Sequence, residues 1–141
     1  MIKKLFIIVC VLFSFKAYAQ KTEKDLKYFY YYADQDPSFE AYLKAKKEFE
    51  LKKFDFVLPK STEAIKELEK HEQQIFRNQK NYAAFLSKYG MKNGDAYAEL
   101  WFKQIETLNL FVKNNPSFYK LTPKERQNII DKWYYSFGKT E

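Results

Sequence analysis

The chain contains a single histidine, His71, and Glu67 lies four positions before it. On a helix, residues four apart share a face, so the two side chains would be neighbours, with Glu63 one turn further back. An imidazole and a carboxylate can form part of a divalent metal site, or the carboxylate can orient a histidine that acts as a general base. The spacing therefore makes His71 and Glu67 the candidate catalytic residues.

Other features of the sequence favour a different interpretation of this pair, in which the two side chains lie on a solvated helix face. A metal site needs three or four protein ligands, and the remaining ones would have to come from another helix. The segment around His71 is rich in Glu and Lys, which is typical of a solvated helix face. The chain also lacks a glycine elbow around any serine, a P-loop and a dinucleotide-binding glycine motif. We therefore assign no catalytic residue, no cofactor and no metal.

Five aromatic residues follow one another at positions 28–32, in the order Tyr-Phe-Tyr-Tyr-Tyr. On a helix they point in all directions, so one core-facing stripe cannot bury them all. Either this helix is sandwiched inside the protein, or some of the tyrosines contact a partner. Tyrosine suits a contact surface because its ring is apolar and its hydroxyl can remain hydrated. A second aromatic group follows at 133–135, where Trp133 has the spacing of a core residue. The candidate binding-surface residues are Tyr28, Tyr31, Tyr32, Tyr134 and Tyr135.

These observations predict a non-enzymatic binding or interaction module. Two alternatives stay open. One is a small metal-dependent or hydrolytic enzyme that uses His71 with Glu67, and it requires further groups near His71 in space. The other is a carrier of a small apolar ligand or a lipid, and it requires an aromatic cavity between helices.

The charge of the chain argues against nucleic acid as the partner. There are 25 Lys and Arg against 18 Asp and Glu, a net charge of +7. Three of the lysines and none of the acids lie in residues 1–19, and removing them leaves 22 cations against 18 acids, or +4. Only Arg77 and Arg126 are arginines, although recognition of bases and phosphates favours arginine. We expect the partner to be another envelope or extracellular protein, or a glycan.

The elements that must position these residues are all predicted to be helices, separated by the few prolines and glycines of the chain. The fold class is all-α, a four- or five-helix bundle with a long central helix, in one domain over residues 20–141. The predicted helices run from about Thr22 to Ala33, Pro37 to Lys53, Ser61 or Thr62 to Tyr89, Asp95 to Asn114, and Pro123 to Phe137. The third is the longest, approaching about 40 Å at 1.5 Å per residue.

Capping residues give the sharpest local signals for these helices. Thr22, Asp36 and Asp95 are expected to cap the first, second and fourth helices. Thr122 begins the pattern Thr-Pro-Lys-Glu, a capping box with proline in the first turn. Residues 54–58, which precede Pro59, are expected to form a loop that packs its apolar side chains or a very short strand.

Residues 1–19 are typical of a cleavable secretory signal peptide. The segment starts with two lysines near the N-terminus, continues with an apolar run at 5–13 and ends in Ala17-Tyr18-Ala19. The run is about half of the roughly 20 residues that a membrane span needs, so we expect no stable anchor after cleavage. The single cysteine, Cys10, lies inside this segment. The short leader and the excess of lysine favour a periplasmic or secreted protein of a Gram-negative bacterium.

Overall fold

The computed structural model describes residues 24–139, and all regular secondary structure in this range is helical. The all-α class is therefore confirmed. The range contains seven α-helices: α1 (Leu26–Tyr32), α2 (Pro37–Lys52), α3 (Thr62–Ile75), α4 (Gln79–Lys88), α5 (Gly94–Asn114), α6 (Pro116–Tyr119) and α7 (Pro123–Ser136). Short 3-10 turns, Ala33–Gln35 and Lys53–Asp55, continue the chain after α1 and α2.

The predicted signal peptide at 1–19 lies outside the described residues. Within residues 24–139, every helix is too short or too polar to cross a membrane.

A long central helix is present, but it is α5 rather than the predicted third helix. α5 has 21 residues, which corresponds to about 30 Å of length. Its most extensive contacts are with α2 and α4. Because α5 runs past both, its two halves contribute to two different groups of buried side chains.

The hydrophobic core is divided into these two groups. The first cluster joins α3, α4 and the N-terminal half of α5, and its buried members are Ala64, Ile75, Tyr82, Ala83, Phe85, Leu86, Met91, Tyr97, Ala98 and Phe102. The second cluster joins α1, α2, the C-terminal half of α5, α6 and α7, and its buried members are Phe29, Ala33, Phe39, Tyr42, Leu43, Phe111, Phe118, Ile129 and Ile130. Four of the ten buried residues of the first cluster and five of the nine of the second are aromatic, so ring packing carries much of the core.

The predicted single helix from Ser61 to Tyr89 is wrong, because the chain breaks it after Ile75. Phe76 leaves helical geometry, and Asn78 adopts an extended conformation as the cap of α4. Its Oδ1 accepts a hydrogen bond of 2.8 Å from the Asn81 amide. The break has a packing benefit, since it brings the Phe76 ring to 4.8 Å from Tyr82 and 4.9 Å from Trp101 between ring centroids.

This break and the separate turn at α6 explain why seven helices are found where four or five were predicted. Glu72 and Gln79 stand at two positions of the apolar seam that a continuous helix would have to bury. Both are exposed in the structure. Dividing the helix keeps these polar groups in water, which avoids the cost of burying them.

Asp95 does not cap the fourth helix, contrary to the prediction. The helix begins at Gly94, after Asn93 in the left-handed region at φ 59°. Gly94 packs closely against α4: a Cβ at this position would lie 3.0 Å from Leu86 Cβ and 3.1 Å from Ser87 Oγ. The close approach of α4 and α5 therefore sets this start, and Asp95 acts only as an acidic residue in the first turn.

The remaining helix starts follow the capping signals, apart from the first. α1 begins at Leu26 with Asp25 as its cap, whose Oδ1 accepts from the Tyr28 amide at 2.8 Å. Thr22, the predicted cap, lies outside the described residues. The cap at Asp36 and the complete capping box that begins at Thr122 are confirmed, and α3 begins at its predicted start with Ser61 as its cap.

The loop at 54–58 does not pack its apolar side chains as expected, and it contains no strand. Phe54 and Val57 are 82% and 81% exposed, and Leu58 is exposed as well, as is Leu51 at the end of α2. Phe56 alone turns inward, with its ring centroid 5.3 Å from that of Tyr97. The 3-10 turn at Lys53–Asp55 carries the chain away from the core before Phe56, so its neighbours find no element to cover them.

Replacing Phe54 and Val57 together by serine is expected to change the free energy of unfolding by less than about 1 kcal/mol, because these side chains bury little area. Urea denaturation followed by circular dichroism measures the change. Phe56→Ser is the matched control from the same loop. It removes a ring that packs on the first cluster, and we expect a loss of more than about 1 kcal/mol. Equal losses in the two variants would contradict this placement of the loop.

Candidate functional site

The structure places His71 and Glu67 beside one another, but it gives Glu67 other partners. Its Oε2 accepts a hydrogen bond of 2.5 Å from the Tyr89 hydroxyl and another from Lys88 Nζ. These bonds, that of Lys88 first, lower the pKa of the Glu67 carboxyl below its ordinary value. The carboxylate therefore joins α3 to the end of α4, and it is held by these donors rather than by His71.

His71 is exposed at a point where α3 departs from helical geometry, with φ −125° and ψ 24°. Residues 24–139 contain no group of three or more His, Cys, Asp or Glu side chains that could hold a metal ion. The side chains around His71 thus do not supply the further ligands that a metal site requires.

An open groove of about 670 Å³ separates α3 from α4, and both candidate catalytic residues lie on its wall. The polar side chains that line it include Lys66, Glu67, Lys70, His71, Gln74 and Lys88. Its apolar lining includes Ile75 and Phe85, which are themselves core residues of the first cluster. The groove is consequently a depression of mixed polar and apolar lining over one edge of that cluster, with more lysines than acids.

The aromatic run at 28–32 is divided between the core and the surface. Phe29 is fully buried, and its ring centroid lies 5.1 Å from that of Phe118. Tyr30, Tyr31 and Tyr32 are 41%, 54% and 49% exposed. Tyr28 is half-buried, with its ring 5.5 Å from Phe29 and 5.7 Å from Tyr32. We call Tyr30, Tyr31 and Tyr32 the tyrosine surface.

Lys132 of α7 attaches the tyrosine surface to the rest of the protein. Its Nζ lies 4.2 Å from the centroid of the Tyr30 ring, 5.2 Å from that of Tyr31 and 4.1 Å from that of Trp133. It also donates a hydrogen bond to the backbone carbonyl of Tyr30. Contacts of an ammonium with several ring faces fix the rings in place. Sequence reasoning missed this role, since 102 residues separate the lysine from Tyr30 and no local pattern connects them.

Trp133 reinforces the same attachment from the neighbouring position. Its Nε1 donates to the Phe29 carbonyl at 3.2 Å. The carbonyls of Phe29 and Tyr30 belong to the last turn of α1, and the Ala33 amide already donates to that of Phe29. Trp133 and Lys132 add side-chain donors from α7 to the end of a helix of only seven residues. The half-buried position of Trp133 agrees with its predicted packing on the core.

The other two candidate residues of α7 differ in accessibility. Tyr134 is half-buried, with Lys46 Nζ 5.3 Å from its ring centroid, and burial followed by the charge of Glu50 raises its pKa. Tyr135 is exposed, and its ring meets the edge of Tyr134 at 5.6 Å. Tyr135 is therefore the residue of this pair that a partner can reach over most of its ring.

Comparison of the chain with protein-family models, with curated proteins and with solved structures finds no significant match.

Proposed function

We propose that this chain is a non-enzymatic binding module that acts in the periplasm or outside the cell and contacts a partner protein through the tyrosine surface. The export part of the proposal rests on the pattern of residues 1–19. The binding part rests on one observation: Tyr30, Tyr31 and Tyr32 are adjacent and about half-exposed, and Lys132 holds the rings of Tyr30 and Tyr31 in place.

The character of this surface supports protein recognition. Tyrosine is enriched at protein interfaces because it offers a large contact area at a small cost in conformational entropy. The rings project from the convex face of a helix, whereas small ligands are usually held in concave sites. Because Lys132 already orders two of the rings, part of the entropic cost of binding is met before the partner arrives.

The alternative functions receive less support from the geometry. An enzyme that uses His71 with Glu67 needs a carboxylate directed at the imidazole, and the Glu67 carboxylate is engaged by Lys88 and Tyr89. A carrier of an apolar ligand needs an apolar cavity, and the groove between α3 and α4 is lined by several charged side chains.

The double substitution Tyr31→Ser and Tyr32→Ser is expected to reduce partner capture at least about tenfold while leaving the fold intact, because hot-spot tyrosines dominate interface energies. The measurement is affinity capture from the cell envelope, with quantification of each captured protein by mass spectrometry. Circular dichroism and urea denaturation verify that the variant is folded. Tyr28 is left in place because it packs on the second cluster.

The variant with Phe54→Ser and Val57→Ser is the matched control, since it also removes two exposed apolar side chains, but from the 54–58 loop. Capture that survives in this control and is lost in the tyrosine variant supports the proposal. Capture that survives in the tyrosine variant contradicts it. If digestion of glycans abolishes capture by the unaltered protein, the partner is a glycan and the proposed protein partner is wrong.

A further inference from the structure

The groove between α3 and α4 carries positive charge that the fold leaves uncompensated. Lys66, Lys70 and Lys88 line it, and Glu67 is the acidic residue of its lining. Glu67 is paired with Lys88. Lys66 and Lys70, in contrast, form no ion pair with any residue of the range 24–139. Two lysines that form no ion pair therefore line an open space of about 670 Å³.

Lys66 and Lys70 are one helical turn apart, a spacing at which like charges destabilise a helix. Glu69 and Glu72 of the same helix line a neighbouring depression together with Lys70 and His71, and they are absent from the lining of the groove. An anion seated in the groove would relieve the repulsion between the lysines.

The rest of the lining suits a small polar ligand. The side chain of Gln74 faces the groove without making a hydrogen bond to any described residue. Asn81, on the opposite wall, donates from Nδ2 to the Gln74 carbonyl at 2.9 Å and so connects α4 to α3. The volume falls within the range of roughly 300–1,000 Å³ that is usual for small-molecule sites.

We propose that this groove binds a small, multiply charged anion that carries phosphate or carboxylate groups. Lys66 and Lys70 supply the attraction, Gln74 supplies an amide donor, and Ile75 and Phe85 form the floor. The site is separate from the tyrosine surface, because it overlies the first cluster and the tyrosine surface belongs to the second. The two proposals can therefore fail independently.

Titration of the purified protein with sodium tripolyphosphate, and separately with citrate, tests this site. Two-dimensional ¹H–¹⁵N spectra at low ionic strength should show concentration-dependent shifts of the amides at 66–74 and 81–88. The double variant Lys66→Gln and Lys70→Gln should bind the more effective probe at least about tenfold more weakly, and added salt should weaken binding by the unaltered protein. A preference for tripolyphosphate assigns a phosphate ligand, and a preference for citrate assigns a carboxylate ligand.

The matched control is the double variant Lys113→Gln and Lys124→Gln, which loses the same charge from exposed positions at the end of α5 and the start of α7. We expect its affinity to change by less than about twofold. The proposal is overturned if neither probe shifts the groove amides, or if the control loses as much affinity as the groove variant. The latter result would indicate attraction to the net charge of the protein alone.

Discussion

Phe111→Ala is expected to lower the free energy of unfolding by about 3 to 5 kcal/mol. Phe111 is fully buried in the second cluster. Its ring centroid lies 4.7 Å from that of Phe39, 5.0 Å from Phe118 and 6.0 Å from Phe29. The four rings come from α5, α2, α6 and α1, so this one side chain connects four helices. Truncation leaves a cavity that close-packed aromatic neighbours cannot fill without leaving their own contacts.

Urea denaturation followed by circular dichroism measures this loss as a lower midpoint with an unchanged slope. Leu110→Ala is the matched control: it precedes Phe111 on the same helix, its side chain is half-exposed, and we expect a loss below about 1 kcal/mol. Phe111→Leu keeps a large apolar side chain and should lose less than Phe111→Ala, so the order of the variants is measurable even if the alanine variant unfolds. Similar losses for Leu110→Ala and Phe111→Ala would contradict this view of the core.

The parts of the fold that the sequence predicted are those controlled by local interactions. At Thr122 the backbone amide donates to Glu125 Oε2 at 2.8 Å, and the Glu125 amide returns a bond of 3.3 Å to Thr122 Oγ1. Both partners lie within four residues of each other, so the pattern of residue types is enough to predict them. The cap at Asp36 is local in the same way, because its Oδ1 accepts from the Ser38 amide.

The wrong predictions concern elements whose bounds or burial depend on contacts between residues that are distant in sequence. α3 and α4 are separated because Phe76 gains Trp101, 25 positions further along the chain, as a packing partner. α5 begins at Gly94 because α4 lies too close for a side chain there. In the 54–58 loop the apolar residue types predicted burial, but burial requires another element to lie above the loop, and composition carries no information about that.

The predictions for the candidate site show the same difference between local interactions and contacts that are distant in sequence. The spacing of Glu67 and His71 predicted a shared face from helix periodicity, and both lie on one wall of the groove although α3 departs from helical geometry at His71. The hydrogen bonds that Glu67 accepts from Lys88 and Tyr89 depend on how α4 packs against α3. Likewise, the aromatic run predicted that one face of the helix could not bury all five rings. The position of α7 decides that Phe29 is buried and that the tyrosine surface is exposed, and the aromatic run does not predict that position.

A buried polar connection near the second cluster escaped sequence analysis for the same reason. Asn115 is almost fully buried. Its Nδ2 donates to Asp36 Oδ2 at 2.7 Å and to the Phe111 carbonyl at 3.0 Å, and its Oδ1 accepts from Lys24 Nζ at 2.6 Å. One amide thus connects the chain before α1, the cap of α2 and the end of α5. A buried group of this kind is costly to leave without its partners.

Asp36→Ala is therefore expected to lower the free energy of unfolding by about 2 to 4 kcal/mol at pH 7. Loss of the helix cap accounts for roughly 1 kcal/mol, and the rest comes from the buried Asn115 donor that loses its carboxylate acceptor. Urea denaturation measures the loss. Asp34→Ala, which removes an exposed carboxylate two residues earlier, is the control and should change the free energy by less than about 0.5 kcal/mol.

The charge of Asp36 adds a dependence on pH that a second variant, Asp36→Asn, isolates. Burial raises the pKa of Asp36, but hydrogen bonds from Ser38 and Asn115, with the charge of Lys24, outweigh burial and leave the pKa below its ordinary value of 3.8. A pKa that is lower in the folded state means that protons bind more readily to the unfolded chain. The contribution of the carboxylate is then complete above the unfolded pKa and is lost as the pH falls through the folded pKa.

Asp36→Asn keeps the size of the side chain and a capping oxygen but removes this titration. We expect the unaltered protein to be more stable than Asp36→Asn at pH 7, and the difference to shrink as the pH falls from about 5 to about 2. Urea denaturation of both proteins across this range measures the difference directly. A difference that stays constant down to pH 2 would mean that the carboxylate has the same pKa in the folded and unfolded chains, and that the bonds from Ser38 and Asn115 do not favour its charged form.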